Sequence, residues 1–445
     1  MNKFPAPPDW KNLLTHDVLQ KCFRSPELQE IVKHADIEYV HWDKFRYYSA
    51  PPGITIEEAW AYLKFSRGFR RDFTPALDKS KQSFSYTLTK GMFHKLSFID
   101  SNSSGLLTST QEQSTENQRN QLILSGLSEE AIASSQIEGA NTSRKVAKEM
   151  LLTSRKPRTR DEQMIINNYL VMQQLQNWKE LELSKEMLLD FQKLITQSTL
   201  DNPGDSGRFR LDSDEIVVGN RLTGETVFIP PSEKFVAEEL NKLIIYANSN
   251  EEKEDFTHPI IKATILHFWL AYLHPFVDGN GRTARAVFYW YLLKHKYWLF
   301  QYLSVSRVIK TSRAQYDEAY LKTETDEQDL TYFLTYKLKI IEQSILDFQV
   351  HFQKKLADDK KLVALASKLK GFNNRQLGLL VYLKDHSDST VDINTHQSKY
   401  RTAYQTARTD LFELKDMGIL SRIRDRKKYV FMPNSSAINK LFLKK

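Results

Sequence analysis

Apolar residues recur three or four positions apart over most of the chain between about residues 122 and 345. This spacing is typical of helices that bury one face. Five stretches show it most clearly: 161–180, 185–199, 233–249, 259–273 and 282–296. We therefore predict a mainly α fold for this part of the chain.

One segment of this region has a different pattern. In EIVVGNRLTGETVFIPP (215–231), the β-branched runs IVV and TVFI flank a turn that contains glycine, and two prolines end the segment. Two short apolar runs around such a turn are typical of a β-hairpin. We predict a hairpin inserted among the helices.

The first 100 residues contain helical patches separated by helix breakers. The segment 54–71 opens with Thr55 followed by Glu57 and Glu58, as a capped helix does. The run 100–121 is rich in Ser, Thr, Asn and Gln, which favours a loop or linker. We predict a mostly helical extension over 1–100, followed by this linker.

A separate module is predicted over 371–434, reached through the charged stretch 354–361. Its pattern indicates three helices and then a short hairpin, 421–432, in which Arg and Lys alternate with apolar residues. This order resembles a winged helix-turn-helix. The resemblance makes Arg401 and Gln405 candidate DNA contacts near the start of a recognition helix, and Arg424 a candidate phosphate contact.

The charge of the chain is concentrated in that module. Residues 371–445 hold 14 Lys and Arg against 7 Asp and Glu, so they carry +7 of the net charge of +8. Such a surface favours an acidic partner such as DNA, but winged helices also bind proteins and the charge also fits a solvated surface.

Composition sets the broad class. The chain is 41% hydrophobic and 27% charged, as in a folded globular protein. No apolar run is long enough to cross a membrane, and the first residues lack the apolar segment of a secretory signal. A single cysteine, Cys22, suits a reducing compartment. We expect a cytoplasmic protein with no membrane partner.

The segment LHPFVDGNGRTAR (273–285) carries the strongest chemical signal. Gly279, Asn280 and Gly281 can adopt backbone conformations that turn successive N–H groups into one concavity. The concavity lies at the N-terminus of the predicted helix 283–295. The positive end of that helix attracts phosphate.

Charged side chains surround this predicted phosphate nest. Arg282 and Arg285, about one helical turn apart, can reach further phosphate oxygens. Asp278 can hold a magnesium ion that bridges phosphates. His274, at the end of the preceding helix, can take a proton from an attacking hydroxyl. The set fits phosphoryl-type transfer.

These residues resemble the motif of the Fic family, HxFx(D/E)GNGRxxR, at every specified position. The resemblance covers about 121–345 and implies a Fic-type helical core. In that family, the residue at His274 deprotonates the target hydroxyl and the one at Asp278 binds Mg²⁺. The positions of Asn280, Gly281 and Arg282 hold the α- and β-phosphates of ATP, and that of Arg285 holds the γ-phosphate.

Gly281 separates two activities within the superfamily. Related kinases that transfer the γ-phosphate carry lysine at this position, whereas Gly281 leaves room for the β-phosphate. The resemblance therefore implies a protein adenylyltransferase, which moves AMP from ATP to a Ser, Thr or Tyr hydroxyl of a protein. The alternative is a DNA-binding transcriptional regulator whose Fic domain modifies itself or a partner. A homodimer is also left open.

A second motif lies upstream, in SEEAIASSQIEGANTS (128–143). Ser134, Glu138 and Gly139 match the family's inhibitory pattern, (S/T)xxxE(G/N). The local sequence predicts a helix over 128–142, capped by Ser128. The resemblance implies that Glu138 pairs with Arg285 in the place of the γ-phosphate; by itself, Glu138 also fits a solvated carboxylate at a helix end.

Three further elements have family counterparts. The hairpin 215–231 corresponds to a flap that aligns an extended target segment by strand addition, and Gly219, Val227 and Ile229 lie in it. Tyr316 is the candidate for a contact with adenine. The arginines of GRFR (207–210) fit either phosphate binding or a solvated surface.

Overall fold

The computed structural model describes residues 5–113, 116–219, 226–249, 256–368, 371–385, 389–400, 402–425 and 428–443. The protein is mainly α, as predicted. It divides into two compact units. The first comprises Met1–Thr142 and Arg158–Leu346, and the second comprises Ser143–Pro157 and Asp347–Lys445.

The N-terminal part of the first unit is mostly helical. Its elements are α1 (Trp10–Leu13), α2 (His16–Arg24), α3 (Pro26–Ile37), α4 (Trp42–Phe45), α5 (Ile56–Gly68), β1 (Asp72–Leu77) and β2 (Ser83–Tyr86). Helix α5 has the predicted cap, because Thr55 and Glu58 bond each other's backbone N–H groups. Trp60 and Phe45 lie in the core of this part.

The loop predicted over 100–121 is wrong. Helix α6 (Lys90–Gln113) and helix α7 (Glu116–Ile137) occupy most of this stretch. Ile99 and Ser103 on α6 and Leu122 on α7 are buried, so both helices gain packing energy that their polar composition does not reveal.

The remainder of the first unit is a set of helices around α12 and α13. The elements are α9 (Arg160–Trp178), α10 (Lys185–Thr196), β3 (Val218–Gly219), β4 (Thr226–Phe228), α11 (Glu233–Asn248), α12 (Pro259–Leu273), α13 (Asn280–Lys294), α14 (Val305–Thr311), α15 (Arg313–Thr325) and α16 (Thr331–Lys368), of which the last continues into the second unit. Nearly every side chain of α12 and α13 is buried, as expected of helices that are apolar on all sides. Strands β3 and β4 pair antiparallel, with Val218 opposite Phe228.

Buried ionic and polar contacts connect the N-terminal helices to the segment before α16. We call Tyr39, Lys64, Arg67, Asp326 and Asp329 the N-terminal brace. The Lys64 Nζ atom lies 2.7 Å from Asp326 Oδ1, and Tyr39 donates to Asp329 at 2.6 Å. Arg67 donates to the carbonyls of residues 35 and 40. The extension is thus part of the core of the first unit.

The described residues of the second unit form three strands and five helices besides the end of α16. They are α8 (Arg144–Thr153), α17 (Asn374–Asp385), β5 (Val391–Asp392), α18 (Ile393–Tyr400), α19 (Tyr404–Asp416), β6 (Leu420–Asp425), β7 (Lys428–Pro433) and α20 (Ser435–Leu443). The strands form an antiparallel sheet in the order β5-β7-β6. Leu380, Leu411 and Phe431 lie in its core. Across the described residues of both units, no helix has the length and hydropathy needed to span a membrane.

Candidate active site

The predicted catalytic motif forms the loop between α12 and α13. His274 ends α12 in the left-handed conformation, with φ of +48°, and Gly279 precedes α13 with φ of +89°. The side chain of Asn280 closes the loop, because it accepts from Phe276 N at 2.9 Å and donates to Phe276 O at 2.8 Å. The side chain of Asn280 therefore shapes the loop, and its backbone N–H lies in the first turn of α13, where N–H groups have no partner within the helix.

The imidazole of His274 is neutral at physiological pH. Burial lowers the pKa of His274 to about 4. Its Nδ1 atom lies 3.4 Å from the carbonyl oxygen of Ala271, a contact that favours the tautomer with the proton on Nδ1. The Nε2 atom is then the basic nitrogen.

Arg285 reaches across to helix α7. Its Nε donates to Ser134 Oγ at 2.7 Å, and its Nη2 donates to Ser134 O at 3.0 Å and to Glu138 Oε1 at 2.9 Å. The structure thus brings together the two motifs, which lie far apart in the sequence. Arg285 is buried, and all three contacts come from α7 and the turn that ends it.

Glu138 lies directly over Gly281. A Cβ atom built on Gly281 would stand 2.1 Å from Glu138 Oε1, so any side chain at position 281 would have to displace the Glu138 carboxylate. Burial alone would raise the pKa of Glu138, but Arg285 and Arg282 beside it lower that pKa to about 2. Glu138 is therefore an ionised carboxylate that lies beside Gly281, which belongs to the segment that the sequence predicts to bind phosphate.

Arg282 and Asp278 of the same motif contact each other. Arg282 is buried and donates to the carbonyl of Ile195 at 3.0 Å and to Asp278 at 3.3 Å. Its Nε atom is buried and has no hydrogen-bond partner among the described residues. The side chain of Asp278 is 45% exposed, so its carboxylate is accessible to a metal ion.

Helix α7 differs from the predicted inhibitory helix at its start. It begins at Glu116, so the N-cap assigned to Ser128 is wrong; Ser128 lies inside the helix and donates to Leu124 O at 2.6 Å. The reason is that the helix continues upstream through the stretch predicted as a loop. The helix also ends earlier than predicted, at Ile137 rather than at residue 142, because Gly139 turns the chain out of the helix with φ of +99°.

Sequence reasoning missed the residues that anchor α7. The buried carboxylate of Glu130 accepts from the hydroxyl of Tyr289 at 2.8 Å and from the N–H of Ser306 at 2.9 Å. Arg313 donates to the carbonyl of Ile137 at 2.9 Å and so caps the end of the helix.

The remaining candidate residues of the first unit are one buried tyrosine and three exposed residues of the hairpin. Tyr316 is buried, and its hydroxyl contacts His267 Nε2 at 3.0 Å and the Tyr320 hydroxyl at 3.1 Å. Its contact with adenine remains a prediction. In the hairpin, Gly219, Val227 and Ile229 lie at the surface, as residues that meet a target must.

The two arginines of GRFR follow neither of the alternatives left open by the sequence. Arg208 is paired with Asp205 and Asp214. Arg210 is buried, and its guanidinium donates to backbone carbonyls, among them that of His274 at 2.7 Å. Both guanidiniums are thus held by protein groups, although the side chain of Arg208 is 32% exposed.

The candidate DNA contacts belong to the second unit. Gln405 is exposed in the first turn of α19, and Arg424 lies on β6. Arg401 lies outside the described residues. The order of helices and strands around them agrees with the predicted three helices and hairpin, and the winged-helix resemblance remains a prediction.

Comparisons with known proteins give a consistent result. Residues 182–292 match the model of the Fic/DOC family. The protein adenylyltransferase fic-1 of Caenorhabditis elegans is 33% identical over 104 residues, which are 23% of this chain and 18% of that protein. The protein adenylyltransferase Fic of Nematostella vectensis is 33% identical over 84 residues, which are 19% of this chain and 17% of that protein. The chain thus matches less than a fifth of the length of either curated relative.

A solved structure supports the fold. That of Fic-1 from C. elegans aligns with a TM-score of 0.51 at 20% identity and covers 77% of this chain and 87% of that one. An identity this low speaks for the fold alone. With the matched segment, the helical core around α12 and α13 and the motif loop between them, residues 182–292 form a domain of the Fic/DOC family.

Proposed function

We propose that this protein transfers AMP from ATP to a hydroxyl group of a protein and that Glu138 holds the enzyme in an inhibited state. One observation carries the proposal: the ionised carboxylate of Glu138 lies over Gly281 and is paired with Arg285. A site that holds an anion beside the first turn of a helix and against a buried guanidinium is suited to an anionic ligand.

The proposed reaction begins with His274. Its neutral Nε2 accepts the proton of the target hydroxyl as the hydroxyl oxygen attacks the α-phosphorus of ATP. The bond between the α-phosphorus and the bridging oxygen breaks, and pyrophosphate leaves. A base that is already neutral at pH 7 needs no prior deprotonation.

The residues around the motif loop fit a triphosphate. The first N–H groups of α13 have no carbonyl partner within the helix, and the Nε of Arg282, which has no hydrogen-bond partner among the described residues, can donate to a phosphate oxygen. Asp278 would hold Mg²⁺, which neutralises phosphate charge when bound. The described residues contain no group of three or more His, Cys, Asp or Glu that could hold a metal ion, so Asp278 would be the chain's main ligand, with phosphates and water as the others.

Inhibition follows from competition for Arg285. A γ-phosphate and the Glu138 carboxylate are both anions that need the same guanidinium, and they repel each other at close range. A nucleotide that keeps its place beside Glu138 must move its phosphates, which would misalign the α-phosphorus with the attacking oxygen. A small misplacement of this kind can cost about 100-fold in rate.

The test is incorporation of label from ATP carrying a radioactive α-phosphate, with magnesium, by purified full-length protein. We expect weak self-labelling by the natural protein, stronger labelling by Glu138→Gly and none by Glu138→Gly with His274→Ala. Labelling from the γ-phosphate but not from the α-phosphate would contradict AMP transfer. A cell lysate incubated with the Glu138→Gly form would then identify the target.

A second candidate function concerns the second unit. Helix α19 exposes Tyr404, Gln405 and Arg408 on one face, and Arg422 is exposed on β6. A basic surface of this kind supports DNA binding as a proposal.

The test measures how much protein is retained on duplex DNA at several salt concentrations. The natural protein is compared with a double variant that carries Arg408→Ala and Arg422→Ala. Lys440→Ala, on α20, serves as the control. We expect weaker binding and a smaller salt dependence only in the double variant. Equal retention by the natural protein and both variants would contradict the proposal.

A further inference from the structure

We infer that Arg210 is a positioning residue that joins the base of the hairpin to the backbone of His274, so that the target segment and the general base move as one body. This inference rests on the proposed function, because it assigns the hairpin to target docking and His274 to proton transfer. The contacts that carry it are independent of that function.

The guanidinium of Arg210 lies among three backbone carbonyls. Its Nε donates to His274 O at 2.7 Å, and its Nη2 donates to Leu273 O at 3.4 Å and to Pro231 O. The backbone N–H of Arg210 also donates to Pro275 O at 2.9 Å. One residue therefore contacts three consecutive residues at the end of α12.

The same contacts close the hairpin at its base. Strands β3 and β4 leave the body of the protein after Arg210 and return before Pro231, so the bond from Arg210 to Pro231 O joins the two ends. The segment is held further by Phe209, which stacks on Phe276 with ring centroids 5.4 Å apart. The side chains of Asp212 and Glu233 each accept from the other residue's backbone N–H, at 2.7 and 2.8 Å.

His274 has a backbone conformation that needs support. Its φ of +48° and ψ of 57° lie in the left-handed region, which is costly for a residue with a Cβ atom. Its carbonyl is one of the last of α12 and has no partner within the helix. Arg210 satisfies this carbonyl and places positive charge at the negative end of the helix.

The contacts require the shape of arginine. The nearest carboxylate oxygen, Asp212 Oδ1, is 4.0 Å from Nη1, so the group is held mainly by carbonyls. Two nitrogens of the planar guanidinium group donate hydrogen bonds to carbonyls on two different segments. The ammonium group of a lysine has a single nitrogen and cannot make both bonds in this geometry. Arg208 provides a matched contrast, since its partners are the carboxylates of Asp205 and Asp214 on its own segment.

The first experiment measures hydrogen exchange and does not depend on activity. Arg210→Gln is compared with Arg208→Gln and the natural full-length protein. We expect Arg210→Gln to speed exchange at least tenfold in both 226–232 and 273–276, and Arg208→Gln to spare 273–276. Faster exchange at the hairpin alone would overturn the proposal, as would equal effects of both substitutions at both places.

The second experiment measures self-labelling in the Glu138→Gly background. We expect Arg210→Gln and Arg210→Lys to lower the rate at saturating ATP at least tenfold, while the ATP concentration for half-maximal rate changes less than about threefold. Arg208→Gln should stay within about threefold on both measures. If Arg210→Lys labels as fast as the protein that retains Arg210, the proposed requirement for a planar guanidinium group is wrong.

A double-mutant cycle links the two ends of the proposed body. We expect Ile229→Ala on the hairpin to lower the self-labelling rate by a smaller factor in the Arg210→Gln protein than in the protein that retains Arg210. The reason is that the hairpin is already uncoupled from His274 in the Arg210→Gln protein. Additive losses would contradict the coupling. If the Glu138→Gly protein fails to label at all, the proposed function fails, and the exchange experiment still decides the role of Arg210.

Discussion

The N-terminal brace and the active site both bury charge, and they differ in how the charge is paired. In the brace, the side chains of Lys64 and Asp326 are 0% and 2% exposed, and the pair lies beside further fixed groups. At the active site, Arg285 depends on one carboxylate, that of Glu138, whose side chain is 25% exposed. The first arrangement is sealed, whereas the second leaves one partner open to solvent.

The difference teaches which ion pairs can be exchanged for a ligand. Opening a sealed pair leaves a charge in a nonpolar surrounding, which costs several kcal/mol. An incoming polyphosphate that displaces Glu138 replaces one anion by another and never leaves Arg285 unpaired. The active-site pair is therefore suited to a switch, and the brace is suited to permanent attachment.

The largest expected effect is on the sealed pair. Lys64→Met leaves Asp326 buried without its cation, so we expect the free energy of unfolding to fall by about 3–5 kcal/mol. Chemical denaturation followed by circular dichroism measures it. Lys33→Met, which removes the exposed pair with Glu30, should change it by less than about 1 kcal/mol. Similar losses in the two variants would refute the distinction.

The next effect concerns the stabilisation given by nucleotide. Glu138→Gly leaves Arg285 and Arg282 without their anion, so ATP with magnesium should bind that protein more tightly. At 100 times the dissociation constant, binding contributes about 2.7 kcal/mol. We expect the melting temperature to rise on ATP addition by at least about 4 °C more in Glu138→Gly than in the natural protein. An equal rise in both would show that Glu138 does not compete with ATP.

A smaller effect is expected from the neighbouring serine. Ser134→Ala removes the hydroxyl that accepts from Arg285 Nε but leaves the Ser134 carbonyl and Glu138 in place. Because the Ser134 carbonyl and Glu138 still hold Arg285, we expect the inhibited state to lose no more than about 1.4 kcal/mol, which is about tenfold, so self-labelling should rise by up to about tenfold, less than in Glu138→Gly. Labelling equal to that of Glu138→Gly would mean that the serine, not the carboxylate, holds the switch.

The smallest effect is expected from pH. The pKa of Glu138 is lowered to about 2, so its pairing stabilises the fold fully above the ordinary glutamate pKa of 4.5 and loses that contribution as pH falls toward 2. We therefore expect the ratio of labelling rates between Glu138→Gly and the natural protein to stay constant from pH 8 to pH 5.5. A steady fall of this ratio over that range would show that Glu138 takes up a proton well above pH 2.

Sequence alone predicted the parts of the site that are close together in the chain. The loop from His274 to Gly279 and the start of α13 are determined by consecutive residues of one motif, so their geometry depends on local conformation. The helical periodicity of α9 to α13 likewise follows from burial of successive apolar residues.

The sequence failed where tertiary partners override local composition. The run 100–121 has the polar residues of a linker, yet α6 and α7 fill most of it because they pack against the core. Arg210 could not be assigned, since its partners are backbone carbonyls on distant segments of the chain and carbonyls have no signature in a sequence. Glu130 was missed for a different reason, because an acidic residue on a helix is usually solvated.

The bare α-carbon of Gly281 has one more consequence. A methyl group there would collide with the Glu138 carboxylate. Alanine at 281 would therefore displace that carboxylate and, at the same time, narrow the space proposed for the phosphates of ATP. Under the proposed function, relief of inhibition by this route would not raise the rate, since the same space would have to receive both the carboxylate of Glu138 and the phosphates of ATP.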